Sequence, residues 1–584
     1  MKNKILYLFV LLVGVLACSD DFTETPAYGA LSDASLQNAE GVDLLLIGAY
    51  SLLDGNSNTG GSDYARAADG WWTDVMSDDA HKGSEDSDQP ALYDTEVMNW
   101  GTTNGYFDAR WVGLFAGVNR ANSVIDLIAK LVEAGDTGDY TQQLAQARFL
   151  RAHYNFELQI MWGNVPFISV ENFANVEFNQ PNPGPIWDKI EEDMDFAMKN
   201  LPDSQSEVGR PTGWVATAYM GKIHLFQGEY TEAYGYFGTV IGSGQFELLD
   251  EFVDNFRLAG DNSSESLLAI QFTADAGLSF NGNIGGTLNF PGPINCCGFY
   301  NPSQDLLNSF QTDANGLPLL DTYNQTDVTS DYALPSAPLD GPDTDFTPFQ
   351  GNLDPRADYT VGRRGIEFNG YGVHPGAGWQ RSSASDIGGP YTPKKNVYTN
   401  GEDANQGAGG WGEQRSGVNY HIIRYADVLL MGAEAAVETG NLSDATSWVN
   451  LVRARAMAST PVKAYVRDAN GNSVAIEDGA GNHLDAANYK IELYPEFTDA
   501  EYARKAVRME RRLELGMEGK RLFDIRRYGD AVQRMNAYFV NEARTITSFG
   551  EANPAAYEEK NNLTPIPLRA IDLSGGIISQ NPGY

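Results

Sequence analysis

Cysteine, basic residues and long apolar runs are all scarce in this chain. Its 584 residues include only three cysteines, Cys18, Cys296 and Cys297, and the last two are adjacent. No framework of cross-links therefore staples the fold. Forty Lys and Arg face 78 Asp and Glu, giving a formal charge of −38. Nucleic acids and anionic lipid surfaces are recognised by Lys and Arg neutralising phosphate, so a chain this acidic repels both unless a local basic patch intervenes. Polyanionic ligands are disfavoured on the same ground. Beyond residue 17 no segment offers a membrane span. Catalytic signatures are missing too: there is no G-x-S-x-G and no H-E-x-x-H, and Gly519-Lys520 is followed by Arg521 where a phosphate-binding loop requires Ser or Thr. What is present is a hydrophobic fraction of 42%, ample for a core, in a chain long enough for several domains.

The first residues address the chain to an export pathway. Lys2 and Lys4 precede an apolar run over 5–17, which fits a signal peptide and is too short to cross a bilayer. Val15-Leu16-Ala17-Cys18 resembles a lipobox, in which the cysteine is acylated and becomes the new N-terminus. Its leucine stands one place closer to the cysteine than in the commonest form. Loss of 1–17 removes two lysines and no acid, so 38 basic against 78 acidic residues remain, a charge of −40. Two or more acyl chains hold a protein stably on a membrane.

An internal repeat supplies the clearest organisation. Gly221, Gly228, Tyr230, Ala233 and Phe237 fall at offsets 0, 7, 9, 12 and 16, and Ala433, Gly440, Leu442, Ala445 and Val449 repeat them. Small residues where two helices touch, a turn glycine, then Ala and a bulky apolar residue about a turn apart are how a tetratricopeptide hairpin reads. Apolar periodicity predicts further helices over 39–53, 106–132, 144–162 and 186–201, and a charged amphipathic helix over 503–523 carrying Val507, Met509, Leu513 and Leu515. Between 255 and 418 Gly, Pro, Asn, Asp and Ser become frequent, which predicts a loop-rich insertion with at most short strands. A second excursion, 462–489, reads as a hairpin or turn. The expected division is therefore 1–17 signal, 18–254 helical, 255–418 ligand-binding insertion and 419–584 helical.

Several motifs carry a family resemblance. They are Arg148-Phe149-Leu150-Arg151-Ala152 with Gly163-Asn164-Val165-Pro166, Asp354-Pro355-Arg356, and Arg424-Tyr425-Ala426-Asp427-Val428-Leu429-Leu430. Next come Glu510-Arg511-Arg512-Leu513-Glu514-Leu515 and Glu518-Gly519-Lys520-Arg521-Leu522-Phe523-Asp524. Leu563-Thr564-Pro565-Ile566-Pro567 and Gln580-Asn581-Pro582-Gly583-Tyr584 end the chain. In this order they resemble the SusD-like (RagB/SusD) family. The resemblance implies an all-α, tetratricopeptide-like scaffold with a loop-built ligand face. It also implies a lipid-anchored protein on the outer leaflet that passes oligosaccharide to a TonB-dependent SusC-like porin. Ser19-Asp20-Asp21 is similar to the acidic tether of surface-exported lipoproteins. The motifs themselves look architectural and do not identify a ligand.

Sugars offer apolar faces and a rim of hydroxyls, so their sites combine aromatic platforms with bidentate polar groups. Candidates in the first segment are Trp71 with its neighbour Trp72, Asp78, Asp79, Lys82, Tyr93 and Trp100. A single Trp is more often core than platform, whereas the polar stretch 77–88 resists burial and is expected to face ligand. The insertion adds Cys296, Cys297, Phe299, Tyr300, Trp379, Arg381, Tyr391, Tyr398 and Trp411. Cys296 and Cys297 are either a strained vicinal disulfide or two reduced thiols. For Trp379 and Trp411, in glycine-rich surroundings, stacking and burial both stay open. Asp313-Ala314-Asn315-Gly316 and Asp468-Ala469-Asn470-Gly471 begin like calcium loops but lack the later acid, so they read as Asx turns. No cofactor is expected, structural calcium elsewhere staying open.

The charge favours a neutral glucan, mannan or fructan over a uronate or sulfated glycan. Two alternatives remain. A helical glycoside hydrolase needs two carboxylates across a cleft, and a peptide-binding tetratricopeptide adaptor would use its repeat groove. The reading adopted is a non-enzymatic binding protein with no catalytic residue.

Overall fold

A computed structural model describes residues 36–584 except 56–62, 67–69, 86, 275–281, 293, 295–296, 329–336, 339–340, 382–386, 396, 403–406, 409–413 and 552–555. The signal segment, Cys18, Cys296 and Trp411 thus lie outside the described residues. Eleven of the described helices build the scaffold: α1 (Ala39–Tyr50), α2 (Gly105–Glu133), α3 (Thr141–Trp162), α4 (Trp187–Asn200), α5 (Gly213–Gln227), α6 (Tyr230–Gly242), α7 (Tyr425–Glu438), α8 (Leu442–Ala458), α9 (Ala500–Leu515), α10 (Arg521–Tyr528) and α11 (Ala531–Glu542). The longest, α2, starts where the Asn104 side chain accepts a hydrogen bond from the Tyr106 N–H at 2.9 Å. Its buried face steps by three or four residues through Phe107, Trp111, Leu114, Val118, Ala121, Val124, Ile128 and Leu131, the helical period read from the sequence. Helices α2 to α7 pack each on the next, and α9 closes against α7 and α8. No helix among the described residues is long and apolar enough to cross a membrane.

Both repeats fold as helical hairpins, α5–α6 and α7–α8. Gly228 and Gly440 turn the chain at φ +77° and +79°, a conformation in which any Cβ is strained. At Gly221 a Cβ would stand 2.9 Å from the Phe237 ring, so glycine there sets how closely α5 and α6 approach. Ala233, Phe237, Ala433, Ala445 and Val449 are all fully buried.

The predicted helix over 503–523 is two helices. Between α9 and α10, Met517 at φ +66° and Gly519 at φ +72° leave the right-handed region, and the corner N–H groups of Gly519 and Arg521 donate to the Asp74 carboxylate at 2.8 and 3.3 Å. α9 is amphipathic as read, with Glu501 and Lys505 in solvent, but its inner face also buries charge: Glu510, Arg511, Arg512 and Glu514 are at most 3% exposed. These side chains belong to a buried ion network. Arg356 meets Asp354, Glu510 and Glu514 at 2.7, 2.7 and 2.9 Å, and Arg424 meets Glu265, Glu514 and Glu518 at 2.8, 2.6 and 2.9 Å. Arg453 pairs with Glu510, Arg455 with Glu265 and Glu514, and Lys395 with Glu518. The architectural motifs of the sequence are therefore charge partners that tie the insertion, through Asp354, Arg356 and Lys395, to the helices.

Strands are short, as expected. β1 (Ala80–Gly83) pairs antiparallel with β3 (Phe299–Pro302), β2 (Ser266–Ile270) with β4 (Tyr420–Arg424), and β5 (Tyr465–Arg467) with β6 (Ser473–Ala475). The β5–β6 hairpin is the predicted excursion at 462–489. The β1–β3 ladder fastens the N-terminal segment to the insertion and so positions the loop face.

Candidate functional site

The polar stretch expected to face ligand divides at Ser84. Upstream, Asp78 and Asp79 are buried, at 1% and 0% exposure, because α9, α10 and α11 deliver arginines to them. Arg521 and Arg534 reach Asp78 at 2.7 Å each, and Arg512 reaches Asp79 at 2.8 Å. Burial would push the Asp78 carboxyl up, yet Arg512, Arg521 and Arg534 together hold it well below the usual carboxylate range. Asp79 is raised, by burial first and by the neighbouring Asp78 charge, in spite of Arg512 and Arg521. Lys82 is fully buried. Its ammonium donates to the Gly83 and Glu85 carbonyls and lies 5.2 Å from the Phe299 ring. As placed, these three residues hold the fold together, and their contacts with a surface ligand are excluded by burial.

The aromatics of the same segment are also inside. Trp71, with no exposed surface, meets Tyr106, Phe299 and Tyr300 edge-on at 6.4, 6.3 and 6.1 Å. Tyr300 is buried and its hydroxyl donates to Asp74 at 2.7 Å. Trp100 is buried with its indole N–H on the Tyr584 hydroxyl at 2.8 Å, so the final residue of the chain locks it. Tyr93, half-buried, donates to the Ser548 carbonyl at 3.4 Å. The reason is common to Trp71, Tyr300 and Trp100: aromatics side by side cover one another's apolar surface, and their burial stabilises the fold.

What the structure does bring together at the surface is a rim. Arg381, 36% exposed, donates to Ser84 Oγ at 3.0 Å, to Asp88 at 2.8 Å and to Glu85 at 3.0 Å. Glu85 and Asp88 are themselves 43% and 34% exposed. Residues almost three hundred positions apart meet here because Ser84 follows β1 directly, and its N–H donates to the Gly298 carbonyl at 2.7 Å just before β3. Behind the rim lies a separate aromatic cluster of Phe290, Phe368, Trp379, Val397 and Tyr398. Trp379 is 8% exposed, 5.4 Å from Phe368 and 4.7 Å from His374, so its ring backs the face without presenting a platform. Cys297 is disulfide-bonded and 5% exposed, with its partner outside the described residues. Tyr391 is buried and donates to Gln304 at 2.6 Å.

Two features escaped sequence reasoning. One is a recess of about 510 Å³ lined by Tyr50, Asp54, Arg210, Gln271 and Phe272, where the Arg210 guanidinium covers the Tyr50 ring at 5.3 Å. Nothing local in the sequence signals it, since α1 and β2 create it from opposite ends of the N-terminal half. The other is a set of metal-competent donors, Glu191, His224 and Glu229, within 4.8 Å of one another. His224 Nδ1 sits 2.5 Å from Glu229, and a nitrogen donor suits calcium poorly. The two suspected calcium loops are Asx turns as read: Asp313 Oδ1 accepts from the N–H groups of Asn315 and Leu317, and Asp468 Oδ1 from those of Asn470 and Asn472.

Comparison with known proteins places this architecture. Residues 264–584 match a family model described as SusD family, and residues 34–225 one described as starch-binding associating with outer membrane. A SusD-like protein of Bacteroides ovatus is 24% identical over 485 residues, which cover 78% of this chain and 76% of that one. A SusD-like protein of Formosa agariphila is 24% identical over 512 residues, covering 84% and 83%. Among solved structures, a SusD superfamily protein from Bacteroides vulgatus superposes with a TM-score of 0.66 at 19% identity, covering 94% of this chain and 99% of that one. Surface glycan-binding protein A from Bacteroides thetaiotaomicron in complex with laminarihexaose gives 0.62 at 20% identity, covering 93% and 99%. At these identities the structural likeness establishes the fold. Since one family model spans more than half of the sequence, the chain belongs to the SusD family.

Proposed function

We propose that this protein is a surface glycan-capture protein of the outer membrane, anchored through lipid on Cys18, that binds oligosaccharide without cleaving it and passes it to a TonB-dependent SusC-like porin. The observation that carries the reading is the Arg381–Glu85–Asp88–Ser84 rim. Among the described residues it combines exposure with planar, bidentate polar groups, and the β1–β3 ladder holds it still. A guanidinium between two carboxylates offers donors and acceptors at the spacing of adjacent sugar hydroxyls, and its preorganisation lowers the ordering entropy lost on binding. A structural relative that carries laminarihexaose supports glycan as the ligand class. With a mature charge of −40, the ligand is a neutral polymer such as a glucan, mannan or fructan.

Affinity electrophoresis against laminarin, mannan, levan, alginate and pectin tests the proposal. Retardation by a neutral polymer, lost in Arg381→Ala with an unchanged melting midpoint, supports it. Retardation only by the uronates refutes the neutral-ligand reading, and equal retardation of Arg381→Ala refutes the rim. New reducing ends after prolonged incubation would overturn capture without cleavage, and failure to co-purify a porin from outer membranes would remove the delivery step.

A further inference from the structure

A cavity of about 60 Å³, partly open to solvent, lies where α3, α5 and α7 meet the α9–α10 corner, and no rim residue lines it. That volume holds a few water molecules or a small ion. Its wall carries an unusual cation. Lys222, on α5, is 6% exposed, and its Nζ sits over the rings of Phe156, Tyr219 and Phe226 at 5.0, 5.4 and 6.0 Å. Among the described residues it donates no hydrogen bond, although an ammonium has three to give. Its ammonium borders the cavity, so its acceptors must come from whatever the cavity holds.

The carboxylates of the wall do not relieve it, because each is held by an arginine. Arg110 takes Glu157 at 3.1 Å, and Arg511 takes Asp427 at 2.8 Å and Asp524 at 3.1 Å. The second wall ammonium, Lys520, donates to neutral oxygens, the Tyr420 hydroxyl at 3.1 Å and the Ile422 carbonyl at 2.9 Å. Two ammonium groups therefore share the cavity without a direct carboxylate contact, the Glu157 and Asp427 charges acting on Lys222 only from a distance. The neighbouring titrations agree with a positive interior. Burial, and then the Lys520 charge, lowers Lys222 to about 8. Burial takes His153 down to about 4, with Lys222, Arg110 and Lys520 adding to it against Glu157, so that ring is neutral.

We propose that this cavity is a binding site for a small inorganic anion of halide or nitrate size, held by Lys222 and Lys520. The anion supplies the missing acceptor and neutralises the excess charge where α3, α5 and α7 pack. It is thus a structural ligand of the scaffold, separate from the glycan face.

The full-length protein is melted in sodium bromide and in sodium gluconate at equal ionic strength, gluconate being the bulkier and more weakly fitting anion. A saturable rise in midpoint with bromide is expected, because a ligand bound only to the folded state stabilises by mass action. The rise should vanish in Lys222→Met. Bromide soaked into crystals of the unmodified protein should give an anomalous peak beside Lys222 Nζ, a readout that survives even if the variant does not fold. Equal midpoints in the two salts, an undiminished bromide response in Lys222→Met, or a map without that peak would each overturn the proposal.

Discussion

Replacing Glu514 by Gln removes one negative charge from the buried network and leaves its shape intact. Glu514 is fully buried and accepts from Arg356 at 2.9 Å, from Arg424 at 2.6 Å and from Arg455. Burial alone would raise its carboxyl, but Arg455, Arg424 and Arg356 hold it far below the usual range. The network balances as it stands: Arg356, Arg424, Arg453, Arg455 and Lys395 against Glu265, Asp354, Glu510, Glu514 and Glu518. The substitution strands one positive charge away from water, and breaking a buried ion pair from one side costs about 3–5 kcal/mol. That is a large part of the roughly 5–15 kcal/mol that stabilises a typical protein. Urea unfolding followed by tryptophan fluorescence reads the difference. Adding Arg455→Met restores neutrality, since Glu265 keeps Arg424, and should recover most of the loss. A cost below about 1 kcal/mol, the value of an exposed pair, or a double variant no more stable than the single one, would refute the reasoning.

Alkaline pH should weaken the junction between β1 and α11. His81 is fully buried with Glu96 at 2.9 Å and Glu542 at 3.1 Å. Burial lowers its pKa, but the hydrogen bonds to Glu542 and Glu96 outweigh it and raise the ring from 6.5 to about 9. A raised folded-state value means the contribution is complete below pH 6.5 and is lost as pH climbs through 9, roughly 3 kcal/mol in all; a His81→Gln variant should show a flatter denaturation profile over that window. In acid the opposite sign holds for Glu518. Arg424 and Lys395 overcome burial to lower it from 4.5 to about 2, so its contribution is present above pH 4.5 and disappears as pH falls toward 2, measurable as a falling urea midpoint that Glu518→Gln lacks. Gly221→Val should cost about 1–3 kcal/mol by overpacking against Phe237, read as a lower melting temperature, whereas the same change at the open position Gly235 should not.

The sequence alone determined the helical hairpins. Spacings such as Gly221 to Phe237 describe contacts between helices adjacent in the chain, and that period is written locally whatever surrounds it. It also determined the loop character of 255–418 and the family, through motifs whose order spans the chain. It could not determine which charges and rings are inside. Asp78 and Arg512 are 434 positions apart, as are the rim partners Arg381 and Ser84 at 297. Local polarity marked Asp78, Asp79 and Lys82 for solvent. Tertiary structure reversed this for the two aspartates by bringing arginines from distant segments, and for Lys82 by bringing carbonyls and the Phe299 ring, because a charge leaves water only when groups placed by the rest of the fold replace it.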